Sequence, residues 1–159
     1  MDARSDNVEA HSPERELKIV RVFDAPRELV FKCWSEPEHL SRWSGPKGFR
    51  STILAFELRE GGTYHILMRG LDGRELWQQG VFLEVVPPER IVRTYRWTDA
   101  QGRAISPETT LTVRFDDLAS KTRLTLHQAV FESTTARNDH HQGWNSSLDR
   151  FGEYLATCI

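Results

Sequence analysis

The last long stretch of the chain, from about Thr134 to Thr157, places its large apolar residues at Trp144, Leu148, Phe151 and Leu155. Successive steps of four, three and four put them on one face of a helix, and no strand alternates that way. Asn145, Asp149, Arg150, Glu153 and Thr157 fall on the opposite face, which suits water. From Leu17 to Val130 the pattern is different. Glu16 to Asp24 (ELKIVRVFD) is rich in branched and aromatic residues and predicts a first strand. Pro26 suits the first turn of a helix with Asp24 or Ala25 as cap, and Val30, Phe31 and Trp34 supply its buried side. Ser35 and Glu38 have capping-box spacing, and Pro37 sits in the first turn of a second short helix that buries Leu40 and Trp43. Ser44-Gly45-Pro46 stops it.

Strand signals follow without interruption. Ser51 to Arg59 is one strand, turned by Glu60-Gly61-Gly62. Tyr64, Ile66 and Met68 alternate with His65, Leu67 and Arg69 on the next. Asp72-Gly73 is a strong short hairpin signal before Leu76 to Val86. Gly80 inside that strand predicts a bulge, a bend or the close approach of another group. Arg90 to Trp97 carries Ile91, Arg93, Tyr95 and Trp97 on one face. Glu108 to Phe115 and Thr122 to Val130 form a last hairpin, with its turn expected near Asp116-Asp117. Short links between successive strands favour antiparallel neighbours. The pattern therefore predicts an α+β fold, a seven-stranded curved antiparallel sheet around a long C-terminal helix with two short helices after strand one. Burying the four apolar residues of the helix is worth about 1.5–3 kcal/mol each, against a typical net stability of roughly 5–15 kcal/mol.

Composition narrows the function classes. A chain of 159 residues suits one domain, placed at residues 16–159 behind a flexible leader at 1–15. The formal net charge of -2 and the lack of a basic run argue against nucleic acid. No apolar run reaches the roughly 18 residues of a membrane helix, and the polar opening MDARSDNVEAHSPER predicts no signal peptide. Cys33 and Cys158 lie far apart in sequence, which suits free thiols in a reducing cytoplasm more than a disulfide.

Several strings resemble the activator of heat-shock protein 90 ATPase homologue family. They are Phe23-Asp24-Ala25-Pro26 with Val30, Trp34, Pro37-Glu38-His39-Leu40 and Trp43; Leu58 to Gly62 with Tyr64; Glu84 to Val92 with Thr94; and Gly143-Trp144 with Leu148 and Tyr154-Leu155. The resemblance covers about Leu17 to Leu155. It implies the helix-grip fold of the START and birch-allergen superfamily, a cavity between sheet and helix, and a chaperone as a partner to consider, with a place in stress response. The family often carries a second tryptophan where Ser44 stands here, and a glycine-phenylalanine pair where Ala129-Val130-Phe131 stands. Both positions are expected near the cavity mouth.

The aromatic inventory is large for one domain, and its bland explanation is core packing. The functional reading is an apolar pocket with a few polar groups to orient a ligand. Its candidate residues are Phe31, Trp34, Trp43, Tyr64, Ile66, Met68, Trp77, Tyr95, Trp97, Gln128, His140, Trp144, Leu148 and Phe151, with Arg93, His65 and His141 as further polar candidates. His140 and His141 would otherwise belong to a solvated first turn. Gly143 marks a kink, a helix that starts later near Asn138, or a close approach. Metal-binding spacings, nucleophile elbows and phosphate loops are missing, so no metal, cofactor or catalytic residue is expected. Cys33, beside Trp34, is expected in the core.

Three functions follow as expectations. The first is non-catalytic binding of a small hydrophobic or aromatic molecule, lipid-like or polyketide-like. The second, resting on the resemblance, is activation of the heat-shock protein 90 ATPase. The third is a cyclase- or hydratase-like enzyme using His65, His140 or a buried glutamate as base. Val20, Leu67 and Val92 on the outer sheet face are candidates for a homodimer contact.

Overall fold

The computed structural model describes residues 13–159. The leader expected at 1–15 lies mostly outside the described residues, but its last part, Pro13–Arg15, is a 3-10 turn. That turn is tied down, because Phe131 N–H donates to Arg15 O at 2.8 Å and Arg15 Nε donates to Phe131 O at 2.8 Å.

Seven strands follow in the order expected: β1 (Glu16–Phe23), β2 (Phe49–Phe56), β3 (Thr63–Gly70), β4 (Glu75–Val86), β5 (Arg90–Thr98), β6 (Thr109–Leu118) and β7 (Lys121–Ala129). They form one antiparallel sheet ordered β1-β7-β6-β5-β4-β3-β2. Helices α1 (Arg27–Ser35) and α2 (Pro37–Trp43) separate β1 from β2, which lie at opposite sheet edges, and α3 (Thr134–Thr157) closes the chain. Long chain-local hairpins thus need one crossover, and the helix pair makes it. This is the helix-grip arrangement.

The grip is dry where the period predicted it. Leu148 and Phe151 are fully buried and Leu155 is nearly so. Phe151 meets Phe23 edge-on at 4.9 Å and Trp43 at 4.6 Å, so α3 is clamped between β1 and the short helices. Ser133 caps α3, its Oγ accepting from Ala136 N–H at 3.1 Å.

Several local expectations change. The Ser35–Glu38 capping box does not form: Glu36 is the N-cap of α2 without a side-chain bond, and Ser35 Oγ donates back to Lys32 O. Proline at the first position already suits that end. Pro26, not Asp24 or Ala25, precedes α1 as its cap residue. The β6–β7 turn is Ala119-Ser120, since Leu118 pairs with Lys121, and Ala119 takes φ 68°. A pair without glycine or asparagine carries no hairpin signal, so the acidic pair upstream drew the expectation. Leu67, expected on an exposed outer face, is only 6% exposed, whereas Val20 is 50% exposed. The polar side of α3 is also not simply wet. Arg21 of β1 donates to Asp149 and Asn145, and Arg150 Nη1 lies within 2.8–3.2 Å of the carbonyls of Ser44, Gly45, Pro46 and Phe49. A helix gripped on one side by the sheet and on another by the loop before β2 has two contact sides, which a single-face pattern does not express.

Candidate ligand-binding cleft

Between the sheet and the first half of α3 lies a cleft of about 800 Å³. Trp34 and Trp43 wall it from the short helices, Ile66, Met68, Gln78, Arg93, Tyr95 and Trp97 from the sheet, and His140, Gly143 and Trp144 from α3. Register explains which sheet face is used. Ile66 pairs with Gln78 and Gln78 with Trp97, so these three share the concave face. Trp77 pairs with Leu67 and Thr98 on the other face; it borders the cleft, and its ring lies 5.6 Å from that of His65. His65 therefore does not serve the cleft.

The aromatic walls are held by hydrogen bonds behind them. Trp34 stacks on Trp144 with ring centroids 6.0 Å apart. Trp144 Nε1 donates to Gln128 Oε1 at 2.8 Å, Gln128 Nε2 donates to Thr109 Oγ1 at 2.8 Å, and Thr109 Oγ1 donates to Tyr95 O at 3.2 Å. Gln128, expected in the pocket, instead stands fully buried behind it as the support of Trp144. Trp43 Nε1 donates to Cys33 O at 3.0 Å. Phe31, Leu148 and Phe151 likewise belong to the core behind the walls, not to the lining.

His140 reaches the cleft and His141 does not. Trp97 Nε1 donates to His140 Nε2 at 3.0 Å, so Nε2 is the acceptor, and Nδ1–H is left to donate to Ala136 O at 2.8 Å. Both ring nitrogens are occupied in the neutral form. Burial lowers the His140 pKa below the ordinary 6.5, opposed by the Ala136 carbonyl and by the charges of Asp139 and Glu132.

Tyr64 is wholly buried beneath the lining. Its OH donates to Thr94 O at 2.8 Å, and burial pushes the phenol up to about 12. Gly80 makes room for the ring: a Cβ there would stand 2.7 Å from Tyr64 Cε1 and 2.0 Å from Thr94 O. The glycine signal in β4 thus reports close approach. At Gly143, by contrast, a Cβ would meet only Pro46 Cγ at 3.8 Å, an ordinary contact, and α3 already starts at Thr134. Neither a late start nor a close approach explains that glycine.

Ser44 lines the cleft as expected for its position, and Phe131 lies 4.8 Å from His140. Outside the cleft the fold assembles a group that spacing did not foresee. Cys33 of α1, His39 of α2 and Cys158 beyond α3 bring ligand-type atoms within 4.8 Å of one another, with His39 Nδ1 2.6 Å from Tyr154 OH. The cysteines are free, and burial pushes the Cys33 thiol up to about 12. Their sequence separation hid the meeting, because short metal motifs are local by construction.

Residues 24–156 match the family described as Activator of Hsp90 ATPase homolog 1-like protein. The chain belongs to that family. Solved structures agree with the Activator of Hsp90 ATPase homolog 1-like fold. A protein from Chromobacterium violaceum is 27% identical, with a TM-score of 0.80 over 89% of this chain and 96% of that one. One from Arthrobacter aurescens is 26% identical, with a TM-score of 0.84 over 94% and 88%. The AHSA1 protein from Silicibacter pomeroyi, 23% identical, shares the fold with a TM-score of 0.82 over 91% and 99%. No curated protein matches the sequence. The family fold is that of a ligand-binding-type domain, and among the described residues no helix is long and apolar enough to cross a membrane.

Proposed function

We propose that this chain is a non-catalytic binding protein for a small hydrophobic or aromatic molecule, held in the cleft between the sheet and α3, in the cytoplasm. The observation that carries the reading is the wall of Trp34, Trp43, Tyr95, Trp97 and Trp144 around about 800 Å³, a volume in the range of small-molecule sites. The histidines named as general bases lend no support to an enzyme: His65 stands on the other sheet face, and His140 has both nitrogens engaged. Of the carboxylates at the cleft, Glu75 is paired with Arg69 at 2.7 Å, and Glu132 and Asp139 are exposed.

Titration of intrinsic tryptophan fluorescence with naphthalene, flavonoid and lipid-like probes tests the reading. Saturable quenching is expected, and Trp144→Ala weakens it about tenfold by removing a stacked wall. Failure of every probe to quench or raise the melting temperature would refute it. The family match favours a second reading, activation of a 90-kDa chaperone ATPase through the surface. Added protein should then raise the chaperone's ATP turnover in a dose-dependent way, and an unchanged rate removes that reading.

A further inference from the structure

Two cations line the cleft: Arg74 is exposed and lies over the Phe49 ring, whereas Arg93 is buried. Arg93 is only 5% exposed, yet no hydrogen bond or ion pair reaches its side chain among the described residues, and its Nε is buried without a partner. Its guanidinium lies 4.5 Å from the centroid of the Tyr64 ring. That cation–π contact offsets only part of the cost of taking a guanidinium out of water. The platform is fixed, because Thr94 O holds the Tyr64 hydroxyl and Gly80 admits the ring.

Other lining residues of the cleft have spare hydrogen-bonding capacity as well. The donor Trp34 Nε1, the hydroxyl Ser44 Oγ and the acceptor Gln78 Oε1 are each buried without a partner. All three residues line the same cleft. Tyr95 stands two residues from Arg93 on the same face of β5, and its hydroxyl makes no hydrogen bond among the described residues. The three carboxylates of the cleft, on Glu75, Glu132 and Asp139, make no ion pair with Arg93. The buried cation and the unused donors on Trp34, Ser44 and Tyr95 outnumber the one unused pure acceptor, Gln78 Oε1, and call for an acceptor-rich, negatively charged group.

We infer that the molecule bound in this cleft carries an anionic head group of carboxylate type, held by the Arg93 guanidinium while its apolar body lies against the tryptophans. The inference rests on the binding reading above and adds the charge of the ligand. Guanidinium presents a planar fork that matches a carboxylate with two parallel bonds, which a primary amide cannot reproduce.

Matched acid and primary-amide pairs on naphthyl, biphenyl and dodecyl bodies test it by tryptophan fluorescence. The wild-type protein is expected to bind the acid of at least one pair about tenfold more tightly than its amide, the scale of one charge-assisted pair. Arg93→Met should bring acid and amide within about twofold by removing the extra affinity for the acid, and Arg93→Lys should keep part of the preference. Without ligand, Arg93→Met should melt no lower than wild type, since it removes an unpaired buried charge and keeps the volume. Equal affinities for acid and amide in the wild type, or an acid preference that survives Arg93→Met, overturn the inference and leave the cleft reading standing. No binding by either member of any pair overturns both.

Discussion

His140 shows how a single residue takes its character from its surroundings. Its sequence position suggests a solvated helix turn, but its ring is held between Trp97 Nε1 and Ala136 O and kept neutral by burial. The unfolded chain protonates this histidine near 6.5 while the folded one resists until lower pH. Protons therefore favour the unfolded state as pH falls from 6.5 to the lower folded value, and the stability present above 6.5 is lost progressively across that interval. The melting temperature should drop between pH 7.5 and 5.5, and His140→Gln, which keeps a donor and an acceptor without titrating, should flatten the drop. An unchanged slope in differential scanning calorimetry would contradict this. Cys33 offers a second check. With its thiol pushed up to about 12 by burial and no exposed surface, it should stay unmodified by iodoacetamide at pH 8 in the folded protein and react once denatured. Peptide mass spectrometry distinguishes the two states.

At the scale of elements, α3 does three jobs: it fills the core, walls the cleft and anchors a loop. The core job was readable, because Leu148, Phe151 and Leu155 keep helical period and are buried together. The anchoring job was not. Arg150 looks like any polar-face residue, and its carbonyl partners are about a hundred positions away in sequence. Arg150→Ala should cost about 2 kcal/mol in denaturant unfolding, the range for hydrogen bonds to a charged group. It should also weaken probe binding, because Ser44, Gly45, Pro46 and Phe49 line the cleft. Gly143 points the other way. Alanine there meets only an ordinary contact, so Gly143→Ala should stabilise α3 by about 0.5–1 kcal/mol in the same assay. A loss of stability would mean that the helix needs the glycine's freedom. The turn at Ala119-Ser120 escaped for a related reason: tertiary pairing of β6 and β7 overrides a dipeptide with no turn preference of its own.

On the scale of the whole molecule, the first half of α3, from Ala136 to Ser147, faces the cleft, while Leu148, Phe151 and Leu155 of its second half are buried in the core. Ser44 stands on the wall where a larger residue would fill space. Ser44→Trp should shrink the range of ligands accepted: the dodecyl and biphenyl probes should lose at least about fivefold in affinity, by overpacking, while melting temperature changes little. Equal affinities for all probe sizes would show that this position does not bound the cavity.

Period and punctuation in the sequence determined the elements, their order, the dry side of α3 and the family, because each depends on residues within one or two turns of each other. They also supplied most of the cleft's aromatic walls, from Trp34 to Trp144. Only the tertiary structure decided which sheet face those walls use, sending Trp77's ring and His65 to one side and Gln78 and Arg93 to the other. It alone placed Gln128 behind Trp144 and gathered Cys33, His39 and Cys158. The physical reason is the same in each case. Strand alternation defines two faces without naming the inner one, and a hydrogen bond between distant segments is set by how the sheet bends around the helix.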